Sequence, residues 1–435
     1  MNLIWNPEYE TMDREQLRTL QFERLQMAIR WAYNNVPFHR ERWTEVGLKP
    51  QDIKSLDDLA KVPFTTKKDY RRHSPYGLFA VPLERVVRIQ SSSGTTSAPT
   101  VVGYTRGDLN TWAELCARVS VAGGARAHDV AQIAFGYGLF TGALGMHAGL
   151  ERVGTTVIPA STGNTRRQLT IMRDYKTTLL VCTPSYAMYI AEAAPELGFD
   201  FKDLRLRVGL FGSEPWTNEL RDEIEKRLNI SATDNYGLSE VMGPGISGEC
   251  QMKDGLHINE DHFVVEVVDP ATGEPVPEGT QGELVFTSLT REASPVVRYR
   301  TGDLCSITTS PCVCGRTFAR HTKVFARADD MLIIRGVNVY PSQVEAVLMA
   351  VEGVEPHFQI LLSNRGPLDE MEVQIEVQPS FFPDAVRGLR KFEQSVEEAL
   401  KQELGVRARV KLVEPKTLPR YEGKAQRVID KRSHV

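Results

Sequence analysis

Residues 91–99 read Ser-Ser-Ser-Gly-Thr-Thr-Ser-Ala-Pro, directly after the strand-like run RVVRIQ. Hydroxyls and backbone N–H groups gathered around a glycine that permits tight turning are suited to holding phosphate oxygens. A Walker A loop is ruled out, because no lysine stands in the run. Taken alone, such a turn is an ordinary loop. Its company downstream changes that reading: Gly212-Ser213-Glu214-Pro215 follows one apolar run, Asn235-Tyr236-Gly237-Leu238-Ser239-Glu240 follows another, and Tyr299-Arg300-Thr301-Gly302-Asp303 and Gly423-Lys424 come later. A separate set, Cys250, His257, Cys312 and Cys314, supplies three thiols and an imidazole, the donors of a tetrahedral structural zinc site. The spacing is not the usual CxxC, His262 stands near enough in sequence to replace His257, and such an ion would clip the fold and take no part in catalysis.

These groups need elements to position them. Between Asp13 and Asn35, Leu17, Leu20, Leu25, Ala28, Ile29 and Ala32 recur near helical spacing before Pro37, which predicts a docking helix. From Arg85 onward the runs RVVRIQ, VAQIAF, TTVIP, TLLVC, LRVGLF and ISATDNY alternate with helical patterns, which predicts βαβ units and a largely parallel sheet. Ligands on such sheets gather beyond the carboxyl ends of the strands, where the motifs above lie. After Gly255 the texture changes to HFVVEVV and GELVFTSL around a Pro/Gly turn, as in antiparallel hairpins. The fold class expected is therefore α/β: a large N-terminal domain of parallel α/β sheets, residues 1–327, closing in a β-rich subdomain over about 250–327. A small α+β domain follows at 328–435, with the order βαββαβ, including helices from Pro341 to Met349 and from Asp384 to Leu404.

Composition excludes several classes. Hydrophobic residues at 41% and charged residues at 25% belong to an ordinary globular chain and argue against disorder. Lys plus Arg is 52 against Asp plus Glu 56, so the net charge of −4 gives no global attraction to nucleic acid or to anionic membrane. Any anion site must be local. The stretch Val130–Leu150 has no Asp, Glu, Lys or Arg and is about the length of a membrane span. Its glycines at 136, 138, 142, 145 and 149 instead predict a strand, a turn and a small-residue helix beside a pocket. The first twenty residues lack a signal-peptide pattern, and the six cysteines are too sparse for a disulfide framework, so the expected compartment is the cytoplasm.

Read together and in order, the motifs resemble those of the adenylate-forming superfamily of acyl-CoA ligases, and within it the phenylacetate–CoA ligase family. SSSGTTSAPTVVGYT resembles the phosphate loop, FGSEPWT and DNYGLSE the adenine-site motifs, YRTGDL the ribose motif and LPRYEGKAQRVID the closing lysine motif. The resemblance covers nearly the whole chain. It implies attack of an aryl carboxylate on the α-phosphate of ATP to give an acyl-adenylate and pyrophosphate, then capture of the acyl group by the CoA thiol with release of AMP. No protein nucleophile is required, and the motif set offers donors, carboxylates and a lysine, which position groups and stabilise charge.

Carried over residue by residue, the resemblance implies that Asp303 accepts the ribose hydroxyls with Arg327 behind it. Tyr236 stacks on adenine opposite Gly212, Ser213, Glu214 and Pro215, flanked by Asn235 and Gly237. Ser91, Ser92, Ser93, Gly94, Thr95, Thr96 and Ser239 meet phosphate, Glu240 binds Mg²⁺, and Lys424 acts catalytically. Tyr137, Phe140, Thr141, Gly142 and Gly145 form the acyl pocket. Asp329 is the hinge about which the tail rotates, bringing Gly336 and Tyr340 to the CoA tunnel, and a homodimer is the family's expectation. One departure matters, since many relatives have Gly-Lys where this chain has Ser97-Ala98. Phenylacetate leads among acids; indole-type, hydroxylated and benzoate-type acids, and a carrier-protein acceptor in place of CoA, stay open.

Overall fold

The computed structural model describes residues 3–92, 99–328, 330–335, 337–365, 368–378 and 386–432. Its centre is a nine-stranded sheet whose two halves differ in sense. The strands Val130–Ile133, Thr156–Ile158, Leu179–Cys182, Val208–Gly212 and Ser231–Leu238 run parallel, joined by the helices Thr141–Val153, Thr165–Asp174, Pro184–Glu196 and Asn218–Leu228. Helices cover such strands on both faces, which is why Leu179–Cys182 and Val208–Gly212 are apolar runs buried at every position. Val130–Ile133 has Thr156–Ile158 on one side and Leu179–Cys182 on the other, so successive connections diverge there and open a crevice at the strands' carboxyl ends. Beyond Ser231–Leu238 the sheet continues antiparallel through Gly243–Glu249, Leu256–Ile258, Arg320–His321 and Ile307–Thr308.

A second sheet, four-stranded and antiparallel, comprises Phe263–Val268, Gly282–Ser288, Tyr299–Cys305 and Ala326–Arg327. Its register sets Asp303 directly opposite Arg327. The N-terminal helix runs Arg14–Asn35, with Asp13 accepting the amides of Glu15 and Gln16 as its cap, and buries Leu17, Leu25, Ala28, Ile29 and Ala32. Two features depart from the sequence reading. The RVVRIQ run forms a strand, Arg88–Ser91, that pairs antiparallel with Val101–Tyr104 and stays apart from the central sheet, so the Ser/Thr/Gly loop joins the two arms of a hairpin. In the C-terminal unit the strand Leu332–Ile334 makes a separate ribbon with Val337–Val339. The sheet there is ordered Arg409–Val413, Leu368–Val377, Val354–Arg365, Val428–Asp430 and is backed by the helices Pro341–Met349 and Val386–Leu404. Its parallel edge strand Val428–Asp430 lies within the lysine motif and is too short to stand out as an apolar run.

The uncharged stretch resolves into the strand Val130–Ile133 and the helix Thr141–Val153, and among the described residues no helix is long and apolar enough to cross a membrane. That helix packs on Arg106–Ala122 at glycines four apart: a Cβ at Gly145 would overlap the Trp112 ring and meet Pro244 Cγ at 2.9 Å. Gly145 is thus a packing residue. Gly145→Ala is expected to cost about 1–3 kcal/mol of stability by overpacking, read from chemical denaturation; an unchanged midpoint with altered acid selectivity would return the residue to a pocket role.

Candidate active site

A cavity of about 570 Å³ opens at the carboxyl ends of the parallel strands. Phe135 and Gly136 enter it after Val130–Ile133, Thr162 after Thr156–Ile158, Thr183 after Leu179–Cys182, and Ser213, Glu214 and Pro215 after Val208–Gly212. Asn235 to Glu240 form a further wall, and Tyr299, Thr301, Asp303 and Arg327 arrive from the second sheet. Glu422, Gly423 and Lys424 close it from the C-terminal unit.

At one end Asp303 is pinned from two sides. Arg327 Nη1 donates to Oδ1 at 2.8 Å, as the strand register requires, and the Tyr236 hydroxyl donates to Oδ2 at 2.6 Å. Burial, with Asp303 alongside, pushes the Tyr236 phenol well above its usual range, so it remains a donor. The Tyr236 ring lies at 28° to Phe286 with centroids 6.1 Å apart. Opposite, the chain turns sharply after Gly212, where a Cβ would collide with the Asn235 carbonyl, and Ser213 takes a left-handed φ of 78°. Asn235 Nδ2 donates to the Phe211 carbonyl at 3.4 Å.

Further along, the Ser239 hydroxyl meets Thr141 Oγ1 at 3.3 Å. Glu240 Oε1 accepts from Thr100 Oγ1 at 2.9 Å, and the Tyr70 hydroxyl donates to the Glu240 carbonyl at 3.3 Å. This buried carboxylate therefore abuts the hairpin that bears the Ser/Thr/Gly loop. Ser92 lines the cavity, whereas Ser91 pairs with Val101 and donates its amide to the Leu139 carbonyl at 2.8 Å. Ser93, Gly94, Thr95 and Thr96 lie outside the described residues, as do Asp329 and Gly336.

Lys424 reaches the cavity on an irregular segment of the C-terminal unit. Desolvation depresses its pKa and Arg327 adds to that, while Glu214 and Asp303 act the other way and Lys67 repels it. Lys67 was not singled out by sequence reasoning. It lines the same cavity from the helix Lys67–Arg72, one turn from the Tyr70 that contacts Glu240, and makes no ion pair among the described residues. Asp234 was also missed; burial pushes its carboxyl up to about 6, with Lys323 acting against that. Lys67 carries no local signal, being an ordinary residue placed by distant partners, whereas Asp234 opens the DNYGLSE run and its motif was the signal that could have found it.

The opposite end is apolar, with Phe135, Phe140, Ala143 and Met146 beside Thr141 and Gly142. Tyr137 and Gly145 are not among its lining residues. The Tyr137 hydroxyl bonds His147 Nδ1 at 2.9 Å, and Gly145 faces Trp112. Tyr340 caps the helix Pro341–Met349 and packs edge-on to Phe325 at 5.8 Å, away from this cavity.

A second cluster stands apart. The ligand atoms of Cys250, His257, Cys312 and Cys314 all lie within 4.8 Å of one another. Cys250 and Cys312 sulfurs are 3.9 Å apart, and Cys314 Sγ is 3.4 Å from His257 Nε2. A zinc tetrahedron with Zn–S near 2.3 Å has S···S edges of about 3.8 Å, so the donor set fits that ion. His262 does not join it, being bonded to Thr290 Oγ1 at 2.8 Å and paired with Asp261.

Comparison with known proteins agrees with this architecture. The family model for AMP-binding enzymes matches residues 39–290, and that for the AMP-binding enzyme C-terminal domain matches 336–432. Phenylacetate-coenzyme A ligase of Thermus thermophilus is 47% identical over 99% of this chain and all of that protein. The Escherichia coli phenylacetate-coenzyme A ligase is 46% identical over 98% of this chain and 97% of its own length. Among solved structures, 2-hydroxyisobutyryl-CoA ligase in its postadenylation state superposes with a TM-score of 0.92 at 31% identity, covering 98% of this chain and 92% of that one. In its thioesterification state, with CoA, the same ligase gives 0.73 at 32% identity over 99% and 93%. With two AMP-binding enzyme models in series and full-length relatives near half identity, the chain belongs to the phenylacetate–coenzyme A ligase family of AMP-binding, adenylate-forming enzymes.

Proposed function

We propose that this protein joins phenylacetate to coenzyme A, forming phenylacetyl-adenylate from ATP and then phenylacetyl-CoA and AMP at the cavity described above. In this reading residues 1–327 are the adenylation unit, and 328–435 turn about Asp329 between the two steps. One observation carries it: Lys424, from one unit, enters a cavity whose other polar walls are the Asp303–Arg327 pair and Glu240. The names of the nearly half-identical relatives supply the acid.

Asp303, its charge fixed by Arg327, accepts the ribose hydroxyls, and Tyr236 stacks on adenine against the Gly212-Ser213-Glu214-Pro215 turn. The apolar end takes the phenyl ring, which points the carboxylate toward Ser239 and Lys424. Attack on the α-phosphate builds charge on its oxygens, and the Lys424 ammonium meets that charge. Glu240 would hold Mg²⁺, which when bound neutralises phosphate charge. Ser97-Ala98 leaves the loop without the lysine common in relatives. Lys67, on the Glu240 side of the cavity, supplies that cation to the departing pyrophosphate. Gly336 and Tyr340 would serve the CoA tunnel in the other orientation, and Cys250, His257, Cys312 and Cys314 would hold a zinc that clips the antiparallel half of the sheet.

With ATP and Mg²⁺, phenylacetate is expected to outpace benzoates and fatty acids in pyrophosphate release, and CoA to discharge the adenylate as phenylacetyl-CoA. A faster acid elsewhere in the panel would replace the substrate, and an adenylate stable to CoA would replace the acceptor. Lys424→Ala is expected to slow adenylation by about 100-fold or more while CoA still consumes supplied phenylacetyl-adenylate. Lys67→Ala should instead raise the KM for ATP about tenfold and weaken product inhibition by pyrophosphate equally; unchanged inhibition would remove Lys67 from that role. Protein purified without a His-tag should carry about one zinc per chain. Cys314→Ser should lower Tm and leave the rate of adenylation at 25 °C intact; zinc content below about 0.2 per chain would count against the site.

A further inference from the structure

Lys424 is held in the cavity by more than its own charge, because desolvation disfavours its ammonium there. The backbone around it is fastened at three points. Thr162 Oγ1 donates to the Glu422 carbonyl, Thr183 Oγ1 donates to the Gly423 carbonyl at 3.2 Å, and Glu214 Oε2 accepts the Ala425 amide at 2.9 Å. These three side chains follow three different parallel strands, Thr156–Ile158, Leu179–Cys182 and Val208–Gly212. Glu214 is anchored on its own side, its Oε1 accepting the Ser185 amide at 2.7 Å.

Outside the cavity the same irregular segment is tied again. Arg420 forks Glu376 of its own unit at 2.9 and 2.7 Å, and its Nε reaches across to Glu192 Oε2 at 3.0 Å. The other oxygen, Glu192 Oε1, meets His357 Nε2. Glu192 stands on the helix Pro184–Glu196, so one carboxylate joins two residues of the C-terminal unit to the N-terminal unit. Burial alone would raise the Glu192 carboxyl, but the bonds from His357 and Arg420 outweigh it and hold the group ionised below its usual range.

We infer that Glu192 and Thr162 are positioning residues for adenylation: with Thr183 and Glu214 they form a catch that fixes the segment bearing Lys424 in the cavity and has to open before CoA reacts. The inference rests on the proposed role of Lys424 and adds the contacts that set how long it stays in place. The bonds are polar and few, as a joint that must break in every turnover requires. Removing Glu192 leaves neither arginine stranded, since Arg420 keeps Glu376 and Arg227, 3.8 Å from Glu192, keeps Glu223 and Glu355; among the described residues His357 is the one partner that loses its bond.

The test uses the full chain and whichever acid supports ATP–pyrophosphate exchange in the unmodified protein, so that a wrong choice of acid leaves it intact. Glu192→Ala is expected to lower the maximal exchange rate about tenfold, the worth of a charge-assisted bond, with the KM for ATP unchanged. CoA should consume supplied acyl-adenylate at the wild-type rate or faster. Thr162→Val, a smaller change that spares the fold, should lower exchange about threefold with the same split. In both variants, amides of residues 418–427 should exchange hydrogen faster while those of Leu179–Cys182 keep their protection. Exchange at the wild-type rate, equal loss in both half-reactions, or unchanged protection of 418–427 would each overturn the inference.

Discussion

Desolvating a lysine ammonium is unfavourable unless acceptors already stand around it, and the site depends on that constraint. Lys424 enters a cavity that also holds Arg327 and Lys67, three cations whose mutual repulsion has to be offset before any nucleotide arrives. Asp303, Glu214 and Glu240 provide the offset, and each is itself fixed: Asp303 by Arg327 and Tyr236, Glu214 by two amides, Glu240 by Thr100. The result is an array of oriented dipoles and charges that is paid for in folding. A polyanionic substrate then meets donors that need little rearrangement.

The two sheets make this array possible in different ways. Parallel strands end together, so their loops deliver Phe135, Thr162, Thr183 and Glu214 to one rim although these residues are far apart in sequence. The antiparallel sheet contributes through register: Asp303 faces Arg327 across neighbouring strands, and a slip of either strand by one residue would leave the two side chains on opposite faces. The ion pair is therefore a consequence of strand pairing. The cavity opens beside Val130–Ile133, where the connections of the parallel half diverge.

Much of this was legible in the sequence because the motifs are contiguous. Asn235 to Glu240 and Tyr299 to Asp303 each carry a wall of the cavity in one short segment, and the apolar runs that precede such segments identify the strands. Reading failed where geometry depends on partners remote in the chain. Gly145 and Met146 are adjacent on one helix, yet one packs on Trp112 and the other lines the cavity, a distinction fixed by the position of Arg106–Ala122. The family resemblance implies a pocket role for Tyr137, but His147, ten residues on, takes its hydroxyl. Lys67 lies more than 350 residues before Lys424 in an unremarkable run, and long-range contacts such as the pairing of Thr65 beside Tyr299 and the bond from Tyr70 to Glu240 bring it to the same space. The strand Val428–Asp430 was hidden because three residues give too little alternation to detect.

The distribution of apolar burial suits the rotation proposed for the C-terminal unit. Leu332, Val344, Ile360, Val373, Leu400 and Val410 belong to one cluster of their own, separate from the clusters around the central sheet. Many of the contacts across the junction are instead ionic or hydrogen-bonded, as at Glu192 with Arg420, Arg227 with Glu355 at 3.1 Å, and the Thr217 amide with Glu345 at 3.3 Å, while the Phe325–Tyr340 ring pair is an apolar one. Water can replace such bonds at small net cost, whereas exposing a shared apolar core would cost about 25 cal/mol per Å². A unit with its own core and a boundary rich in charged groups would retain its structure through the proposed rotation. In the proposed cycle the balance between orientations would rest on a few polar contacts and on the ligand in the cavity, so that the nucleotide state would set which surface the C-terminal unit presents.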